Sequence, residues 1–194
     1  MNPAHVLILP GWKDSGPDHW QTLWEAADGY TRVEQHSWLH PLRGDWTARL
    51  EEVLLACEEP AVLVAHSLGC MLVAAWAGHS RNIHRVKGAL LAAPPDVERD
   101  DVRDMLPSWA PVPLKKLPFE SVVFASSDDP FCAIDRAQQF AGAWGSTLVE
   151  VGPRGHLNAE SGLGDWPEAY LRLLQLKELT SPAIIPSPSI TPTP

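Results

Sequence analysis

The stretch Val64-Ala65-His66-Ser67-Leu68-Gly69 decides how this 194-residue chain is read. It closes a continuous apolar run, Ala61 to Ala65, with the length and composition of a strand buried on both faces. A helical pattern through Met71–Ala77 begins almost at once. So abrupt a strand-to-helix turn strains the backbone of its central residue, and strand and helix then lie so close that only Gly or Ala fits two positions to either side. Ala65 and Gly69 hold those positions around Ser67. This is the pattern of a nucleophile elbow. It lifts the Ser67 hydroxyl off the sheet edge and leaves the Leu68 N–H at a helix N-terminus, where an oxyanion would develop. Taken alone, the pentapeptide also reads as a chance turn, so the rest of the chain must decide.

Outward from this turn, short apolar runs alternate with amphipathic helical patterns, which argues for parallel βαβ units and an α/β class. Strands are expected at His5–Leu9, Thr31–Gln35, Val86–Ala93, Glu120–Ala125 and Thr147–Val151, in addition to Ala61–Ala65. A first helix is expected from Asp18, with Gln21 as its capping partner and Trp20, Leu23, Trp24 and Ala27 as one apolar stripe. Trp46, Leu50, Val53, Leu54 and Cys57 mark a second helix. Asp135, with Gln138, opens a later one that Gly145 ends, and Asp165, with Glu168, opens the last, running to about Glu178. Asp96–Pro118 is charged and then Pro-rich, and reads either as a small cap or as a long crossover. Residues 1–179 read as one domain, whereas Thr180–Pro194 alternates Pro with Ser, Thr and Ile and reads as a flexible polyproline-like tail.

The formal net charge of −9, with no Lys/Arg cluster, argues against nucleic acid and anionic membranes as partners. Val6–Leu9 is too short for a signal peptide or a membrane span. Cys57, Cys70 and Cys132 are widely spaced and odd in number, which fits a reduced, cytoplasmic compartment better than a disulfide framework. Nine tryptophans are many for this length, but most recur at helical spacing and read as aromatic core.

A serine nucleophile needs a base, and the base needs an orienting acid. In the hydrolases that use this elbow, acid and histidine follow the serine in that order, each on a loop after a later strand. The fifth strand ends in Ser126-Ser127-Asp128-Asp129-Pro130-Phe131 and the sixth in Gly152-Pro153-Arg154-Gly155-His156. Both loops lie at the strand ends where open α/β sheets place their sites. His156 is the expected base, with Asp128 and Asp129 as neighbouring candidates for the acid and Asp96, after the fourth strand, as a weaker one.

The stretches Leu9-Pro10-Gly11-Trp12, His66-Ser67-x-Gly69, Ser127-Asp128-Asp129-Pro130-Phe131 and Gly155-His156 resemble the small serine hydrolases related to retinoblastoma-binding protein 9, a compact branch of the α/β hydrolases. The similarity runs from about His5 to Leu176. The run Gly11-Trp12…Ser15-Gly16…His19-Trp20…Trp24 is closest in character to bacterial members, and Ala65 departs from the usual Gly. The resemblance implies a compact α/β-hydrolase fold with a six-stranded parallel sheet in the order 2-1-3-4-5-6. It implies Asp129 as the acid, directly before the Pro-apolar step, and the Trp12 backbone N–H as a second oxyanion donor beside Leu68.

The expected activity is hydrolysis of a small-molecule acyl ester or amide, without cofactor, through an acyl-enzyme on Ser67 with His156 and Asp129. Trp12, Trp20, Trp109, Phe131 and Leu157 are candidates for the pocket wall. His66 is expected to point away from Ser67 as a structural or wall residue, and His19 to be structural or a substrate contact. His36 and His40 have helical ligand spacing, but Pro41 argues against a helix there, and no metal site is expected. Cys70 is expected to be a small buried residue. The competing class is a protein-binding module on a hydrolase scaffold, since a fold does not fix a function.

Overall fold

A computed structural model describes residues 5–179 of the chain; the Pro-rich tail expected at 180–194 lies outside the described residues. Six strands, β1 (His5–Leu9), β2 (Thr31–Arg32), β3 (Ala61–His66), β4 (Val86–Ala92), β5 (Glu120–Ala125) and β6 (Thr147–Glu150), pair in parallel in the order β2-β1-β3-β4-β5-β6. Six helices connect or flank them: α1 (Trp20–Asp28), α2 (Arg43–Ala56), α3 (Leu68–His79), α4 (Asp100–Arg103), α5 (Ile134–Trp144) and α6 (Pro167–Lys177). The order is that of a compact α/β hydrolase. It reverses between β1 and β3, which opens a crevice at the C-terminal strand ends.

Alternation along the strands sorts their side chains onto two faces. Leu7 and Leu9, Leu63 and Ala65, and Val123 and Ala125 join the core shared with α2, α3 and α5. Val6 and Ile8, Val62 and Val64, and Val122 and Phe124 pack with Trp20 and Trp24 of α1 and Leu173 of α6. Helix α3 lies in the middle of the first core, and its residues Leu68 to Trp76 are all buried. No helix among the described residues is long and apolar enough to cross a membrane.

Several boundaries differ from the sequence expectations, each for a local reason. Helix α1 starts at Trp20, capped by His19 rather than Asp18: the His19 ring accepts the Gln21 N–H at 3.2 Å. Gln21 is fully buried, and its side-chain amide donates to the carbonyls of Leu9 and Val64 while accepting the Ser15 hydroxyl. It ties the ends of β1 and β3 instead of closing a capping box. Leu23 and Ala27 are exposed, so the buried face of α1 is Trp20, Gln21 and Trp24. β2 is shorter than expected; after the Val33 N–H reaches the Ile8 carbonyl, its neighbour β1 runs out into Pro10. Neither the Asp135 nor the Asp165 cap forms, because α5 begins after Ala133 and α6 begins after Trp166 with Pro167 in its first turn. The 96–118 segment is a crossover that also carries α4; Val97, Val102, Leu106, Trp109, Val112 and Leu117 anchor it in the core.

The tightest constraint is at Gly69. A Cβ there would stand 2.2 Å from the Leu9 carbonyl oxygen, a backbone atom. Ala is normally preferred to Gly inside a helix by about 1 kcal/mol, but here the overlap dominates. Gly69→Ala is expected to destabilise the protein by roughly 2–3 kcal/mol, a drop in Tm of about 4–12 °C for a domain of this size. A thermal melt equal to or above the wild type would show that the two backbones are not in contact.

Candidate active site

Ser67 sits between the end of β3 and the start of α3 with φ 52° and ψ −121°, a conformation that costs a non-glycine residue energy. Neighbouring backbone holds it there. Its N–H donates to the Ala92 carbonyl at 2.9 Å, and its carbonyl accepts the Cys70 N–H at 2.8 Å. Gly11, after β1, faces it closely enough that a Cβ would fall 2.8 Å from the Ser67 Cβ. The strained turn and the missing side chain opposite it together expose the hydroxyl to the crevice.

The loops after β5 and β6 bring Asp129 and His156 to this hydroxyl. His156 Nε2 lies 2.8 Å from Ser67 Oγ, and Nδ1 lies 2.9 and 3.0 Å from the two carboxylate oxygens of Asp129. An ionised carboxylate only accepts, so Nδ1 carries the proton and Nε2 is left to accept from Ser67. Asp129 Oδ1 also accepts the Phe131 N–H at 2.9 Å, and the carboxylate side chain is 3% exposed. Asp128 turns the other way. It accepts the Ser126 hydroxyl and the Gly155 N–H, both at 2.7 Å, and these two bonds hold its carboxyl below the usual carboxylate range. Asp96 pairs with Arg136 and accepts the Glu98 N–H, away from His156.

The His156 loop is held from beneath by two aromatic donors. His66 Nε2 donates to the His156 carbonyl and Trp20 Nε1 to the Leu157 carbonyl, each at 2.9 Å. Trp20 and Leu157 are buried in the α1–α6 core, so neither is a pocket wall: the indole faces Trp24 and Trp166, and its N–H serves the loop. Trp109 is likewise core, with its indole against Trp46 and its N–H on the Pro41 carbonyl. Trp12 and Phe131 do line the cleft, and the Phe131 ring meets the His156 ring edge-on at 4.6 Å.

The cleft above Ser67 measures about 240 Å³. Part of its apolar lining comes from residues that the sequence does not single out: Pro95, Val102, Met105 and Leu106 of the β4–β5 crossover. Only their charge-interrupted helical spacing hints at an inward face. The backbone N–H groups of Trp12 and Leu68 flank Ser67 and take no partner among the described residues. No group of three or more His, Cys, Asp or Glu side chains among the described residues is placed to hold a metal ion.

Burial keeps the supporting histidines neutral. Desolvation, then the charge of Arg32 and His156, lowers His19 to about 4, and desolvation, then His19 and His156, pushes His66 well below the usual histidine value. Burial raises Cys70, and raises Cys132 to about 12, so both remain thiols and neither competes as a nucleophile.

The family model for serine hydrolases matches residues 6–175. The chain belongs to the serine hydrolase family. Among solved structures, this hydrolase is similar to a YdeN-like hydrolase from Pectobacterium atrosepticum, at 30% identity and a TM-score of 0.80, with 91% of each chain covered. It also shares its fold with the ydeN gene product of Bacillus subtilis, at 22% identity and a TM-score of 0.71, covering 89% of this chain and 98% of that one. The carboxylesterase CesB of Bacillus subtilis has the same fold at 15% identity and a TM-score of 0.57, with 91% and 84% covered. No curated protein matches the sequence.

The neutral histidines set a pH dependence for the hydrolase. Below about pH 6.5 the unfolded chain takes up protons that folded His19 and His66 refuse, at about 1.4 kcal/mol per pH unit for each group that stays neutral. Their contribution is therefore fully present above pH 6.5 and is lost as the pH falls, for His19 until about 4. Denaturant unfolding between pH 7.5 and 5.0 should show stability falling with pH, and His66→Asn should make the slope shallower. An unchanged slope in that variant would mean that His66 protonates normally in the folded protein.

Proposed function

We propose that this serine hydrolase cleaves small acyl esters through an acyl-enzyme on Ser67. The observation that carries the reading is the continuous hydrogen-bonded line from Ser67 Oγ through His156 to the Asp129 carboxylate, with distances of 2.8 and 2.9 Å. In this mechanism Ser67 Oγ attacks the substrate carbonyl carbon while His156 Nε2 takes its proton. The developing imidazolium is stabilised by Asp129, which does not itself become protonated. The tetrahedral oxyanion is met by the N–H groups of Leu68 and Trp12, which take no other partner among the described residues. As the carbonyl re-forms, His156 returns the proton to the departing alcohol. Water, activated by the same imidazole, then attacks the acyl-enzyme and releases the acid and Ser67.

Ester substrates are favoured because the cleft is small and partly apolar and because an alcohol leaves the tetrahedral intermediate more readily than an amine. Purified protein is expected to hydrolyse short-chain nitrophenyl esters and to be labelled at Ser67 by a fluorophosphonate. Ser67→Ala should lose labelling and about 10⁶ in turnover, the usual scale for a triad nucleophile. Comparable activity in that variant would remove Ser67 from the mechanism, and a folded wild type that neither cleaves esters nor takes the label would favour a binding role on this scaffold.

The acid is tested separately. Asp129→Asn should fold normally but lose on the order of 10⁴ in turnover, because an amide cannot hold the Nδ1–H tautomer as a carboxylate does. Asp96→Asn and Asp128→Asn should stay within about tenfold of wild type; an Asn at 128 can still accept from Ser126 and Gly155. Turnover of the three variants, with circular dichroism as the folding control, decides between them, and a crippled Asp96→Asn would relocate the acid to the loop after β4.

A further inference from the structure

His19 stands against the cleft with one ring nitrogen engaged and the other idle. Nδ1 accepts the Gln21 N–H as the cap of α1, and an imidazole nitrogen that accepts carries no proton. Burial keeps the ring neutral, so the single proton lies on Nε2, across the ring from the cap. That N–H is buried and has no hydrogen-bond partner among the described residues. The residue is 4% exposed, and a buried donor without an acceptor is rare, because it forfeits the bond it would make with water. Helix α1 does not require it, since an Asn, Ser or Asp would cap equally well without a second ring nitrogen. The same ring lines the cleft with Ser67, His66 and His156.

The lining divides by element. The β4–β5 crossover supplies only apolar residues, Pro95, Val102, Met105 and Leu106, whereas the β1–α1 segment supplies, beside Gly11 and Trp12, the polar Lys13, Asp14 and His19. We propose that His19 is a specificity-determining residue whose Nε2–H donates to a second, uncharged oxygen of the substrate, an ether, hydroxyl or carbonyl close to the scissile ester. Preferred substrates are then short esters that carry such an oxygen rather than plain hydrocarbon esters. An uncharged oxygen fits because a neutral imidazole supplies no charge to offset the desolvation of a carboxylate, and Lys13 is exposed with its ammonium over the Trp12 ring. A site that places a buried donor discriminates against an analogue lacking the acceptor, because that analogue leaves the donor unpaired. This inference rests on the hydrolytic reading above and deepens it.

The test uses pairs of esters of equal length that differ by one CH₂ replaced with oxygen. Nitrophenyl pentanoate is compared with nitrophenyl β-methoxypropanoate for the acyl side, and butyl butanoate with methoxyethyl butanoate for the alcohol side. Each kcat/KM is divided by that ester's own rate with hydroxide. The wild type should prefer the oxygen-bearing member of at least one pair by about tenfold or more. His19→Asn keeps a cap acceptor for Gln21 but lacks the distant N–H, and should bring that ratio to within about twofold, with circular dichroism reporting α1. Equal corrected rates in both pairs with the wild type overturn this proposal and leave the hydrolytic reading intact; that comparison stands even if the variant does not fold. A preference that survives His19→Asn overturns it as well. If neither member of either pair is cleaved, the ester reading falls and takes this proposal with it.

Discussion

Helix α3 begins so close to the end of β1 that Gly69 rests on the Leu9 carbonyl with no room for a methyl group. The position of Ser67 follows from that contact. With the helix held there, Ser67 alone lies between the end of β3 and the start of α3, and the chain turns by taking it to positive φ. The bonds from Ser67 N–H to Ala92 and from Cys70 N–H back to Ser67 then lock the turn. Gly11 answers on the other side of the crevice, so the hydroxyl emerges between two places where a side chain would not fit.

The histidine is held by a different kind of constraint. Its loop follows β6, a four-residue edge strand, and its Arg154 and Gly155 N–H groups are tied to Ser126 and Asp128 of the neighbouring loop. The α1–α6 core beneath holds the residues that follow. The Trp20 indole is clamped edge-on by Trp24 and Trp166, and the donors of Trp20 and His66 take the two successive carbonyls of Leu157 and His156. Aromatic packing on one face of the sheet thereby sets the orientation of a ring at its edge. Because His66 is neutral, its donor adds no charge beside His156.

The strands and the elbow were legible because they depend on rules that act within a few residues. Alternation assigns Leu7 and Ile8 to opposite faces, and the small Ala65 and Gly69 around Ser67 mark a steric requirement that few other turns share. Order and loop placement pointed to His156, and the opposite projection of consecutive side chains fits the divergence of Asp128 and Asp129. What stayed hidden depends on distant partners. Gln21 three residues after Asp18 looks like a capping pair, and only the approach of Leu9 and Val64 turns it inward. Trp20 and Leu157 are apolar residues near the site in sequence, and nothing local tells a wall from a core residue. Val102, Met105 and Leu106 lie in a segment too short and too charged for periodicity to show which side faces the cleft.

The division of the cleft between the strand-end loops and the β4–β5 crossover has an evolutionary consequence. Ser67, Asp129 and His156 depend on β3, β5 and β6 and on the cores beneath them, while much of the apolar lining belongs to one connection that leaves the sheet at Ala92 and rejoins it at Glu120. That connection is fastened at its far end by Trp109, Val112 and Leu117, which follow the last of its lining residues, Leu106. Exchanges at the cleft-lining Pro95 and Met105 can therefore reshape what enters the cleft while the buried Val97, Trp109, Val112 and Leu117 keep the segment in place. Such a chain can diversify its substrates by drift in one loop, under selection that leaves the sheet and its turns alone.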